Sequence, residues 1–272
     1  EVMIGGTVGE IVASRSDRYR VGDQVVGMGG WQEYEVVDDE RAGALRRVDG
    51  AAIPLSAYLG AVGMPGVTAW YGLLQLIVPQ SGETIVVSAA SGAVGSVVGQ
   101  LARLRGCRVV GIAGGPAKCE WVVKELGFDA CIDYKHQPVK DGLKEHCPKG
   151  VDVYFDNVGG DILDTVLTRI TRGARIVICG AISQYNNTDA VEGPKNYLSL
   201  LVNRARMEGM VVFDYADRYH EAVAEMAGYL KDGRMKSRED VVEGGVAAFP
   251  ATLLKLFKGE NFGKLVLKVA DS

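Results

Sequence analysis

From residue 84 onward the chain alternates short β-branched runs with longer stretches whose apolar positions recur three and four apart. Residues 84–89 (TIVVSA) precede 94–105, where Val94, Val97, Val98, Leu101 and Leu104 fall on one helical face. The pairing repeats at 108–113 with 117–126, 130–134 with 139–146, 151–156 with 162–170, and 174–179 with 196–206. A sixth run, 209–213 (GMVVF), closes the series. The Val and Ile runs hardly alternate with polar residues, which predicts parallel strands covered by helices on both faces. Six such units predict an α/β fold, a doubly wound six-stranded parallel sheet built from two mononucleotide-binding halves.

The flanks follow a different pattern. Residues 5–12, 22–28 and 32–37 read as short strands, with a turn at Val21-Gly22-Asp23. The tail predicts a helix over 218–230, apolar or small at Ala222, Val223, Met226, Ala227 and Leu230. A second helix is expected at 250–257, and 264–269 alternates as a half-exposed strand. Both ends are therefore expected to form one β-rich catalytic domain, residues 1–61 and 237–272, around an inserted dinucleotide-binding domain at 62–236. Residues 50–82 carry no charge, yet Pro54, Pro65, Pro79, Gly60, Gly63, Gly66 and Gly72 interrupt any continuous membrane helix. A buried core segment with a short helix at 68–77 is the expectation there, with no membrane association.

Composition narrows the function. With 47% hydrophobic and 24% charged residues among 272, the chain is an ordinary globular one, not a disordered or coiled-coil sequence. A net charge of −4 argues against nucleic acid as a partner, because that needs a basic face. Five scattered cysteines without a C-x-x-C pair, and only three histidines, supply no metal-ligand cluster. Reduced thiols and a cytoplasmic location are expected.

The chemistry starts at the first βα turn, Ala89-Ala90-Ser91-Gly92-Ala93-Val94-Gly95-Ser96. It follows an apolar strand and opens a helix, the setting of a Rossmann G-x-G-x-x-G fingerprint, here with Ala90 at the first glycine position. Gly92 lets backbone approach a pyrophosphate and Gly95 lets helix pack on strand, while the helix N-terminus offers N–H groups to the phosphates. The alternative is a turn whose glycines serve packing alone. The second strand ends Ile112-Ala113-Gly114-Gly115-Pro116-Ala117-Lys118, with no acid to hold a ribose 2′-hydroxyl. Lys118 there, with Tyr134 and Lys135 after the third strand, favours NADP(H) over NAD(H).

The run AASGAVGSVVGQLARLRGCRVVGIAGG, with YFDNVGG at 154–160, CGAISQYN at 179–186 and ENFGKLVLKV at 260–269, resembles the medium-chain dehydrogenase/reductase superfamily. More narrowly it resembles the zinc-independent, NADPH-dependent alkenal/one oxidoreductases, which include prostaglandin reductases (leukotriene B4 12-hydroxydehydrogenases), plant double-bond reductases and bacterial curcumin reductase. Bacterial members resemble it most.

The resemblance implies a GroES-like catalytic domain, here expected to be incomplete at its N-terminus because relatives begin it with strands before Glu1. It implies cofactor contacts from Ser91, Gly92, Ala93, Val94 and Gly95 on the pyrophosphate, and from Gly114, Lys118 and Tyr134 around the 2′-phosphate. Asn157 would hold a ribose. Cys179, Gly180, Ala181, Ile182, Ser183 and Tyr185 would pass beneath the nicotinamide, and Met210, Val211 and Val212 would flank its carboxamide. Asn261 would reach back from the terminal segment, and Thr68 would lie at the interdomain cleft. Met64, Tyr185 and Tyr197 would line the substrate pocket, with no metal.

The implied reaction is hydride transfer from NADPH to the β-carbon of an α,β-unsaturated ketone or aldehyde, with hydrogen-bond donors stabilising the enolate oxygen. Relatives often carry a tyrosine four residues before an Arg-Met or Arg-Ile pair. The pair here is Arg206-Met207, and that position is Val202. Tyr197 is the candidate catalytic donor in its place, or equally an ordinary, partly buried helix tyrosine. A homodimer through the edge of the nucleotide-domain sheet is implied by resemblance alone. An NADPH quinone oxidoreductase and a non-catalytic, crystallin-like NADPH-binding protein are the alternatives.

Overall fold

The computed structural model describes residues 2–38 and 45–270. Glu1, residues 39–44 and residues 271–272, parts of the two expected flank segments, lie outside the described residues. Six strands form one parallel sheet: β4 (Thr84–Ser88), β5 (Arg108–Ala113), β6 (Ala130–Asp133), β7 (Val151–Asp156), β8 (Ile170–Ile178) and β9 (Arg206–Gly209). Their order is β6-β5-β4-β7-β8-β9, so the chain reverses direction across the sheet between β4 and β7. Ligands of doubly wound sheets bind at that switch point, beyond the strand carboxyl ends.

Helices join the strands in the expected rhythm: α1 (Met64–Tyr71), α2 (Gly95–Leu104), α3 (Pro116–Lys124), α4 (Val139–His146), α5 (Gly160–Leu167), α6 (Leu198–Asn203) and α7 (Tyr219–Lys231). Successive strand residues face opposite sides. Ile85 and Val87 of β4 join a core with Val98, Leu101, Val153 and Phe155. Val86, between them, joins a second core with Ile132, Leu143, Tyr154 and Val166 on the other face. Covered faces on both sides explain why the strand sequences do not alternate. Fully burying a side chain such as Leu101 contributes about 1.5–3 kcal/mol.

Close approach explains one helical glycine. A Cβ on Gly99 of α2 would lie 1.8 Å from the Phe128 ring, so the ring fits only against a bare backbone.

The chain departs from the expected elements in several places. The helix expected at 68–77 begins earlier as α1, with Pro65 in its first turn, and continues as a π-helical segment, Gly72–Ile77. A Cβ on Gly72 would come within 2.6 Å of Phe155, so this segment presses directly on the sheet. The sixth strand is Arg206–Gly209, ahead of the expected 209–213, because its ladder with β8 runs only from Arg175↔Arg206 to Ile178↔Gly209. Val212 instead opens a 3-10 turn, Val212–Arg218, and is buried there.

Another departure is in the flank. β1 (Thr7–Glu10) and β2 (Gln24–Gly27) pair antiparallel as expected, but β2's other neighbour is β3 (Arg46–Arg47). Residues 32–37 are not a strand, and Tyr34 and Val36 are exposed. Their alternation has no partner ladder among the described residues.

In the tail, β11 (Lys264–Lys268) pairs in parallel with β10 (Glu239–Glu243), a strand the pattern did not signal. The Trp31 ring stacks on Phe249 of α8 (Phe249–Phe257) at 4.2 Å, joining the two ends of the chain.

Candidate functional site

The loop after β4 turns at Ala89, a non-glycine residue with φ of 47°, and enters α2 at Gly95. A Cβ on Gly95 would stand 2.4 Å from the Ala89 carbonyl oxygen and 3.0 Å from Ala90 Cα. Nothing but glycine fits there without moving backbone. At Gly92 the corresponding approach is 3.1 Å. The turn is held from outside, since the Gly263 N–H donates to Ser91 O at 2.8 Å and Gly92 bridges to Gly263 in parallel. Gly263 itself has φ of 60°, and a Cβ there would sit 2.0 Å from Arg238 O. Ser91 to Gly95 thus form a small-residue cradle at a helix N-terminus, beside the switch point.

Asn261 lies in the same terminal segment, but its amide is spent within it, donating to Gly263 O at 2.9 Å. It shapes the segment that clamps the cradle.

The loop after β7 is locked by a residue that sequence reasoning missed. Asp156 is fully buried, and its Oδ1 accepts from Ser88 Oγ at 3.0 Å, the Tyr154 hydroxyl at 2.7 Å, and the N–H groups of Val158 and Gly159 at 3.0 Å. Burial, and then the Asp156 charge, hold the Tyr154 phenol well above its usual range, so that it stays a donor. Asn157 completes the knot, with its N–H on Ser88 Oγ and its side-chain amide on Ser88 O, both at 2.8 Å. A carboxylate closing the apolar run VDVYFD was the available signal.

The segment after β8 folds over that knot. The N–H groups of Cys179 and Gly180 donate to Asp156 O, that of Ile182 to Asn157 O, and Ser183 Oγ to Val158 O at 2.6 Å. The Tyr185 hydroxyl accepts from the Ala181 N–H at 3.2 Å. Burial, and then Asp156, push the Cys179 thiol up to about 12. Met210 donates its N–H to Ile178 O, placing the start of the residue 210–212 segment beside this loop.

A third corner lies where β5 and β6 end. A Cβ on Gly114 would be 2.9 Å from the Tyr134 hydroxyl and 3.0 Å from Lys135 Cε. Lys118 Nζ donates to Gly259 O at 2.7 Å and stands 5.4 Å over the Phe262 ring, which Arg238 also covers at 4.3 Å. Burial, and then the Lys135 charge, push the Lys118 ammonium below its usual value, while Asp240 opposes them. Crowded cations around a glycine turn suit an anion. Asp133, at the end of β6, accepts from the N–H groups of Gly115 and Lys135.

The residues expected at the substrate lie on other elements. Thr68 hydrogen-bonds back to Met64 O within α1, and Met64 is exposed. Tyr197, at the entry to α6, is 58% exposed. Its neighbour Asn196 is bound to Asp164 of α5 through two hydrogen bonds of 2.7 and 2.8 Å. Among the described residues no hydrogen bond engages the Tyr197 hydroxyl. No group of three or more His, Cys, Asp or Glu is placed to hold a metal ion among the described residues either.

Two family models match the chain: zinc-binding dehydrogenase over residues 93–228, and N-terminal domain of oxidoreductase over residues 1–45. The NADPH-dependent curcumin reductase of Escherichia coli is 42% identical over 274 residues, covering 99% of this chain and 78% of that protein. The NADP(+)-dependent 2-alkenal reductase of Nicotiana tabacum is 42% identical over 267 residues, covering 98% and 77%. Among solved structures, CurA from Vibrio vulnificus in complex with NADPH superposes with a TM-score of 0.92 at 43% identity, covering 100% of this chain and 81% of that one.

Proposed function

The chain belongs to the zinc-binding dehydrogenase family, and we propose that it is an NADPH-dependent reductase of the carbon–carbon double bond of α,β-unsaturated ketones and aldehydes. The observation that carries this reading is the likeness, across nearly the whole chain, to an NADPH-dependent curcumin reductase and a 2-alkenal reductase. The zinc in the family's description does not fit the donors of this chain among the described residues, and no step is drawn through a metal.

NADP(H) does fit. The cradle at Ser91, Gly92, Ala93, Val94 and Gly95 suits the pyrophosphate, and the corner at Gly114, Lys118 and Tyr134 suits the 2′-phosphate. Asn157 is assigned to a ribose, and Cys179 to Ser183 with Tyr185 to the nicotinamide side. Met210, Val211, Val212, Thr68 and Asn261 complete the cofactor side. When bound, NADPH supplies the hydride for the β-carbon. The chain's own part is to fix the cofactor's position and to donate a hydrogen bond to the carbonyl oxygen as charge develops there. Tyr197 is assigned that donation, because its hydroxyl is exposed and unengaged among the described residues, whereas that of Tyr185 already meets Ala181. Met64 and Tyr185 belong to the same pocket wall.

Residues 1–61 and 237–272 are assigned to the catalytic domain and 62–236 to the cofactor domain, in keeping with the Trp31–Phe249 stack between the ends. A homodimer is proposed through the open edge at β9, where Leu198, Leu201 and Val202 of α6 are exposed. No helix of the described residues is long and apolar enough to cross a membrane. Free cysteines favour the cytoplasm. The test is NADPH oxidation with a panel of 2-alkenones, 2-alkenals and quinones. Turnover of the enones is expected, and turnover of quinones alone would replace this reading with the quinone oxidoreductase.

A further inference from the structure

Two thiols outside the cofactor loops meet at one point. Cys119 in α3 and Cys131 in β6 hold their Sγ atoms 3.0 Å apart, with the Cys131 thiol donating to Cys119. A disulfide closes at about 2.05 Å, so roughly one ångström of movement separates this contact from a bond. The Cys131 hydrogen bond holds the Cys119 thiol below its usual range, against burial and the Asp133 charge. Cys131 is pushed the other way by the same contact and by burial, so the shared proton stays on it. The pair therefore divides into a nucleophile and its resolving partner. The remaining thiols differ: burial pushes Cys107 and Cys147 up to about 11 and Cys179 up to about 12, which keeps them protonated.

We propose that Cys119 and Cys131 form a reversible intramolecular disulfide on exposure to hydrogen peroxide, and that this bond weakens the grip on the cofactor's 2′-phosphate. The Cys119 thiolate attacks one peroxide oxygen, the O–O bond breaks, and the hydroxide released takes the Cys131 proton as water. Cys119 is then a sulfenic acid. The Cys131 thiolate attacks its sulfur, the S–S bond forms, and the second hydroxide leaves and is protonated from solvent. In sum two thiols lose two hydrogens and one peroxide becomes two waters.

The link to the cofactor is positional and rests on the NADP(H) reading above. Cys119 follows Lys118 directly, and β6 runs from Cys131 through Asp133 into Tyr134 and Lys135. Asp133 already ties the two sides by accepting from the Gly115 and Lys135 N–H groups at 2.8 and 3.1 Å. A covalent bond between α3 and β6 therefore moves the two elements that carry the phosphate-facing groups relative to each other. NADH lacks that phosphate.

The test treats the reduced full chain with hydrogen peroxide and maps it by intact mass and by proteolysis without reductant. The expected result is loss of two hydrogens and a cross-linked pair of peptides holding Cys119 and Cys131, reversed by dithiothreitol. Cys119→Ser abolishes the cross-link, and Cys131→Ser leaves Cys119 to overoxidise to the sulfinic acid. The dissociation constant for NADPH rises severalfold on oxidation of the wild type and not of Cys119→Ser, while that for NADH stays the same. Overoxidised Cys119 without a cross-link in the wild type, or a bond mapped to other cysteines, overturns the proposal. An unchanged NADPH constant in the cross-linked protein overturns its functional half. Failure of both forms to bind NADPH refutes the cofactor assignment and leaves the disulfide mapping standing.

Discussion

The loops after β4 and β7 and the segment leading into α6 serve the same end of one sheet, yet they are held in opposite ways. The first two are knotted around a fully buried carboxylate, Asp156, and the first is also clamped from outside by Gly263. The third runs over the surface and presents Val191 and Tyr197 to solvent. The proposed cofactor side is thus held by contacts within the chain, whereas the stretch around the proposed donor Tyr197 is exposed. Fixed position matters most for the group that transfers hydride, because misplacement there is costly in rate.

The largest effect should come from undoing the contrast at its root. Asp156→Ala leaves Ser88, Tyr154 and two N–H groups without their acceptor, and should cost about 3 kcal/mol or more of stability. A denaturation midpoint unchanged from wild type would mean that the knot does not lock the cofactor side. Next is Tyr197→Phe, which removes the proposed donor from the exposed side. The expected fall in kcat is about a hundredfold, with NADPH affinity unaffected. A kcat within twofold of wild type, about 0.4 kcal/mol, would take the enolate donation away from Tyr197.

Lys118→Ala probes the proposed cofactor side alone. Losing one charge-assisted contact should raise KM for NADPH about tenfold, with KM for NADH unmoved. Equal change for both cofactors would place Lys118 in a structural role through its bond to Gly259. The smallest effect is one of pH. Burial and Lys135 lower the Lys118 ammonium from its ordinary 10.5, so its charge is lost at a lower pH than that of a free lysine. NADPH affinity should therefore decline on the alkaline side before an ordinary lysine titrates, and bound phosphate should delay the decline. NADH affinity should stay flat over the same range, and so should NADPH affinity in Lys118→Ala.

The same contrast decides what was legible in the sequence. Strands β4, β5 and β7 are buried on both faces, so their composition alone announced them, and α4 and β7 fall at the expected residues. The cradle at residues 91–95 was legible because a glycine such as Gly95 leaves no steric alternative. Tertiary partners were not. Residues 32–37 alternate like a strand but form none among the described residues, and β10 finds its partner β11 only some way along the chain. β9 stops at Gly209 because β8 stops opposite it, while Met210, Val211 and Val212 look equally strand-like in sequence. Asp156 was hidden for a related reason: an acid at a strand end looks solvent-facing until Ser88, 68 residues earlier, is seen to donate to it. The likeness to reductases pointed to a carbonyl donor, but the Val202 position left its identity to local exposure, which only the fold could supply.

The most direct test of the proposed C=C reduction is the position of the transferred hydride. Turnover of a 2-alkenone with NADPH deuterated at the nicotinamide C4 position should give the saturated ketone carrying deuterium at its β-carbon, as read by NMR. Deuterium at the carbonyl carbon of an allylic alcohol, or no transfer to any enone, would contradict the account.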